Sequence, residues 1–109
     1  IPGRKRWIRF FSRISGSLLV DAGAAKAVRE QGRSLLPSGV KFVSGEFKRG
    51  DTVEIAGPDG VPFARGLVNF DAAECLRICG KSSACVHSIL GPNVDEELIH
   101  RDNLTLNLP

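Results

Sequence analysis

The order of apolar and polar positions changes period several times along the chain, and each change predicts an element. GSLLVD (16–21) is a short apolar run that fits a strand. Asp21 then stands as an N-cap before AGAAKAVREQ, where Ala22, Ala25 and Val28 share one helical face and Gly32 supplies a left-handed stop. SLLPSGV reads as a turn about Pro37 and Gly39, and KFVSGEF alternates as a strand does. FKRGD is a tight turn with Gly50 that leads into the strand TVEIAG, and PDG (58–60) reverses the chain before VPFARGLVNF, the most strand-like stretch. Asp71 and Glu74 form a capping pair that opens AAECLRIC as a helix closed by Gly80. In GKSS (80–83) a helix stop is followed by the N-cap of a second short helix, SSACVHSILG, with Val86, Ile89 and Leu90 inward and Gly91 and Pro92 at its end. After the acidic loop NVDEE, Leu104, Leu106 and Leu108 alternate with Thr105 and Asn107, so a closing strand carries Asn103, Thr105 and Asn107 on its polar face. The sum is a mainly β domain with short α-helices, without an internal repeat.

Over 109 residues, 42% hydrophobic and 25% charged, this pattern makes one domain with its own core. The chain starts with Ile, and no apolar run reaches the roughly 20 residues of a membrane span, so it reads as a fragment of a longer cytoplasmic protein with no membrane contact. Three cysteines cannot close a disulfide framework, which fits a reducing compartment. The net charge of +3 is unevenly placed. Arg4, Lys5, Arg6, Arg9 and Arg13 lie in the first 13 residues with no acid; fifteen cations less these five leaves ten against twelve acids, or −2. The body of the domain is therefore not basic, which opposes a strong nucleic-acid footprint. Residues 1–13 read as a basic interdomain linker whose Trp7, Ile8, Phe10 and Phe11 form a seam with a neighbouring domain, and 14–109 as the domain itself.

Several motifs suggest chemistry, and most fail on their context. HRDNLTLN matches the H-R-D-x-x-x-x-N loop of protein kinases through His100, Arg101, Asp102 and Asn107. No G-x-G-x-x-G precedes it and only Leu108 and Pro109 follow, so the match is a decoy. Cys75, Cys79, Cys85 and His87 have metal-ligand chemistry, but Gly80 interrupts the set, and cysteines on a helix face are chiefly core residues. Neither of the two histidines belongs to a nucleophile motif, and no G-x-x-x-x-G-K-[ST] loop occurs. The residues thus supply no catalytic, cofactor-binding or metal-binding site.

SLLPSGVKFVSGEFKRGDTVEI, GVPFARGLVNF and DEELIHRDNLTL resemble, in that order, the C-terminal PUA domain of bacterial glutamate 5-kinases. ARGLVN and IHRDNL are the most specific segments, and the similarity runs from about Trp7 to Leu108. The resemblance implies a PUA-like mixed β pseudo-barrel. It also implies a non-catalytic accessory or regulatory module attached to an N-terminal amino-acid-kinase domain, which binds ATP and magnesium and phosphorylates L-glutamate at the start of proline biosynthesis. The implied partners are that kinase domain, further copies of the parent enzyme, and RNA held weakly. A second reading is an RNA-binding PUA module of an RNA-modifying or RNA-associated protein. PUA domains that bind RNA use the turn after the first helix and the neighbouring last strand. By resemblance that groove comprises Arg33, Ser34, Pro37, Gly39, Lys41 and Arg101. Only Arg33, Lys41 and Arg101 are cationic, beside Asp102 and the acidic loop, so RNA affinity is expected to be weak and to come mainly from residues 1–13.

Overall fold

Strand β1 (Ile14–Val20) turns Leu18 and Val20 into the core, and its neighbours on both sides set the architecture. It pairs antiparallel with β2 (Val40–Gly45) and parallel with β3 (Thr52–Ala56). β3 pairs antiparallel with β4 (Pro62–Leu67), and β4 with β5 (Leu104–Leu106), giving one five-stranded mixed sheet in the order β2-β1-β3-β4-β5. The structure, a computed structural model, describes residues 7–8 and 13–107. Phe10 and Phe11 of the expected seam, with Arg4, Lys5, Arg6, Arg9 and Leu108, lie outside the described residues. Of the seam residues within them, Ile8 is buried and Trp7 is exposed.

The helices begin where the capping residues place them. Asp21 Oδ1 accepts the Ala24 N–H at 2.7 Å to open α1 (Ala22–Gln31), and Gly32, at φ 61°, ends it by donating to the Ala27 carbonyl. α2 (Ala72–Ile78) starts in a full capping box: Glu74 N donates to Asp71 Oδ1 at 2.8 Å, and Asp71 N to Glu74 Oε1 at 3.0 Å. Gly80, at φ 77°, then turns the chain, and its N–H reaches the Pro37 carbonyl at 2.8 Å. α3 (Ser83–Leu90) is capped by Ser82, as GKSS predicts, with Val86 buried and Ile89 and Leu90 half-buried. The FKRGD and PDG reversals also form, closed by Asp51 N to Lys48 O at 2.9 Å and Gly60 N to Gly57 O at 2.9 Å.

Three side chains, Ala22, Cys79 and Asn103, depart from the expected pattern. Ala22 is exposed, because it occupies the first helical turn beyond the sheet; Ala25 and Val28 carry the buried face, with Ala24 packed beside them. The KFVSGEF strand forms as expected, and its Phe42 is 67% exposed, since β2 is an edge strand and Phe42 pairs with Leu19 on the face opposite Leu18 and Val43. Cys75, on α2, is buried, but Cys79 is only half so, because it lies just past the end of α2 at Ile78. Asn103 belongs to a 3-10 turn, Arg101–Asn103, that precedes β5, instead of to the strand itself. A second 3-10 turn, Pro37–Gly39, leads into β2.

Candidate functional site

The segment after α1 and the segment before β5 lie side by side, although they are far apart in sequence. Leu35 forms an isolated antiparallel bridge with Ile99: its N–H donates to the Ile99 carbonyl at 2.9 Å, while its own carbonyl receives the Leu98 N–H at 2.8 Å and the Ile99 N–H at 3.2 Å. Leu35, Leu98 and Ile99 are fully buried beneath this seam. One step outward, Ser34 Oγ accepts the Arg101 N–H at 2.7 Å. These bonds hold two walls at a fixed spacing, so groups on them are pre-positioned before anything binds.

Between the walls lies an open cleft of about 510 Å³ lined by Gln31, Gly32, Arg33, Ser34, Glu97, His100 and Arg101. The guanidiniums of Arg33 and Arg101, the Gln31 amide and the Glu97 carboxylate form no hydrogen bond or ion pair with the other described residues. Glu97 does use its backbone carbonyl, which accepts from Asn69 Nδ2 at 2.9 Å. His100 Nδ1 accepts the Asp102 N–H at 3.1 Å, which leaves Nε2–H as the donor of the neutral ring. Arg33 and Ser34 also border a second, more apolar cleft of about 260 Å³ that continues over Leu36, Gly39 and the start of α1.

Of the expected groove residues, Arg33, Ser34 and Arg101 meet in the larger cleft, and Gly39 lines the smaller. Pro37 is buried, with its carbonyl occupied by Gly80, and Lys41 is exposed on β2 outside both clefts. Sequence reasoning missed Gln31, Glu97 and His100. Their sidedness depends on the Leu35–Ile99 bridge, which no local pattern encodes.

The kinase-like residues have structural positions. Asp102 sits in the 3-10 turn with its carboxylate 3.5 Å from His100 Nδ1, Asn107 is exposed and donates its N–H to the Phe63 carbonyl at 2.8 Å, and Arg101 opens the cleft wall. Among the cysteines, burial, together with the charges of Asp71 and Glu74, pushes the Cys75 thiol up to about 12, which opposes the thiolate a metal ion would need. Among the described residues no group of His, Cys, Asp and Glu converges as a metal site, and no helix is long and apolar enough to cross a membrane.

The five-stranded mixed sheet with short helices is a PUA-like fold. The PUA domain family matches residues 16–90, and the chain belongs to that family. It is 49% identical over 106 residues to the glutamate 5-kinase of Pseudomonas putida, across 97% of this chain and 28% of that protein. It is 47% identical over 107 residues to the glutamate 5-kinase of Deinococcus radiodurans, across 97% and 29%. The matching region is the C-terminal portion of these kinases, so the chain spans about 28% of the length of the curated relatives it matches. Its backbone is similar to the crystal structure of a PUA domain from Aeropyrum pernix in a tartrate complex, with a TM-score of 0.55 and 24% identity over 82% of this chain and 45% of that one.

Proposed function

We propose that this chain is the non-catalytic accessory module of a glutamate 5-kinase, the ATP-dependent enzyme that converts L-glutamate to L-glutamyl 5-phosphate in proline biosynthesis. The observation that carries this reading is 49% identity maintained along 97% of the chain to a kinase of which it is only 28%. The parent's kinase domain holds ATP and magnesium and is the module's principal partner, with copies of the parent enzyme as further partners in the cytoplasm. The module's own residues offer no phosphate cradle, and its HRD segment is a turn that builds a cleft wall.

RNA is a weaker candidate ligand. In the described region the larger cleft presents two guanidiniums beside Glu97, and Lys41 stands apart, so few phosphates can be neutralised.

The test is a chimera in which this chain replaces the C-terminal portion of the Pseudomonas putida glutamate 5-kinase. ATP-dependent glutamate phosphorylation by the chimera should match that of the parent, and the chain alone should show none. A folded chimera without turnover, or γ-glutamyl phosphate formation by the chain alone, refutes the assignment.

A further inference from the structure

The charges of the larger cleft are mixed in a way that specifies a ligand. Arg33 and Arg101 present two guanidiniums without a partner among the described residues, each suited to bidentate binding of a carboxylate. Glu97, on the same lining, presents one carboxylate that is likewise without a partner among the described residues. Gly32 places the C-terminus of α1 at the cleft as well, and a helix C-terminus carries partial negative charge that favours a cation. Gln31 and the His100 Nε2–H add neutral donors.

A simple dianion would find its two guanidiniums but would also face Glu97 and the helix end. A polyphosphate chain would meet the same repulsion at higher charge. Two carboxylates and one ammonium, by contrast, pair group for group with two guanidiniums and one carboxylate. We propose that the cleft between Gln31–Ser34 and Glu97–Arg101 binds a free acidic α-amino acid, with its carboxylates on Arg33 and Arg101 and its ammonium on Glu97 and the end of α1. The Leu35–Ile99 bridge and the Ser34–Arg101 bond fix the spacing of the two walls, which lowers the ordering cost of binding so small a ligand. All the groups lie within residues 31–101, so the site belongs to the module whatever parent carries it.

The probe is L-glutamate, titrated into the 109-residue chain while backbone amide resonances are followed by NMR. The expected result is saturable shifts at Arg33, Glu97 and Arg101. Glutarate, which has both carboxylates and no ammonium, should bind about two- to fivefold more weakly, the range of one exposed ion pair. Glu97→Gln should erase that preference while still binding glutarate, and Arg101→Ala should weaken both ligands. Glutarate serves as the control on the unaltered chain, so the test stands even if a variant folds poorly. Absence of shifts at these amides overturns the proposal, as does equal binding of glutamate and glutarate. Saturation at lower concentration by inorganic phosphate or a short single-stranded RNA would identify a phosphate cleft and overturn it too.

Discussion

Ser34 Oγ holds the backbone N–H of Arg101 at 2.7 Å across 67 positions of sequence, tying the exit of the first helix to the entry of the last strand. Ser34→Ala removes the only acceptor that the described structure offers this N–H. Because the bond is near solvent, water replaces part of it, and the expected loss of stability is about 0.5 kcal/mol, the low end for a hydrogen bond. Urea denaturation checks this. Ligand-induced shifts at Arg101 should shrink more than the stability change alone accounts for, since the cleft wall is released.

The capping box of α2 gives a larger effect. Asp71→Ala removes the acceptor for Glu74 N and frees the Glu74 side chain that closes on Asp71 N, at an expected cost of about 1–2 kcal/mol. Asp71→Asn keeps an acceptor and should recover most of it. Equal losses for the two variants in denaturant titrations would show that the cap does not hold the helix.

Gly66 lies where β4 passes under the cleft. A Cβ there would stand 2.7 Å from Ile99 Cγ2 and 2.8 Å from the Asn103 carbonyl oxygen, and the backbone atom cannot swing aside. Gly66→Ala is expected to cost roughly 1–3 kcal/mol, as overpacking does, and to displace the 98–104 segment. Thermal unfolding measures the first effect. Amide shifts at Ile99 and Arg101 report the second.

The Cys75 thiol, raised from 9.0 to about 12 chiefly by burial, makes folding pH-dependent at the alkaline end. Below pH 9 both folded and unfolded chains carry the neutral thiol and there is no effect. From 9 toward 12 the unfolded chain gives up its proton while the folded chain keeps it, so stability falls, by up to about 1.4 kcal/mol per pH unit. The stability difference between the chain and Cys75→Ala should therefore change across that interval. A difference that stays flat with pH refutes the buried-thiol account. Native-state alkylation should label exposed Cys85 and spare Cys75.

Local chemistry was readable in advance, and long-range pairing was not. Asp21, Gly32, Asp71 with Glu74, and Ser82 each act within a few residues, and each sits where its side chain predicts. The exposure of Phe42 is not legible in the alternation of KFVSGEF, which shows that a strand has two faces without showing that β2 has a neighbour on one edge only. The parallel pairing of β1 with β3, past the intervening β2, is likewise invisible to periodicity. Arg33 and Arg101 came from the family resemblance, whereas Glu97, the residue that decides which ligand fits, becomes visible only once Leu35 and Ile99 are seen to pair.

β5 is three residues long, yet it forms one edge of the sheet and covers Ala64–Gly66 of β4. Its pairing of Leu104 and Leu106 with Gly66 and Ala64 satisfies backbone groups of β4 that would otherwise face outward. A nascent chain that has not yet emerged past Leu106, or a product clipped before it, leaves β4 as a bare margin beside Phe63, Ala64 and Leu67, a template for pairing with a second chain. The same missing stretch takes Arg101 with it if the break falls earlier. Incomplete synthesis and proteolytic damage would therefore expose the β4 edge and, with an earlier break, remove the Arg101 wall of the cleft, so the last few residues of the sheet guard it against self-pairing as well as completing its shape.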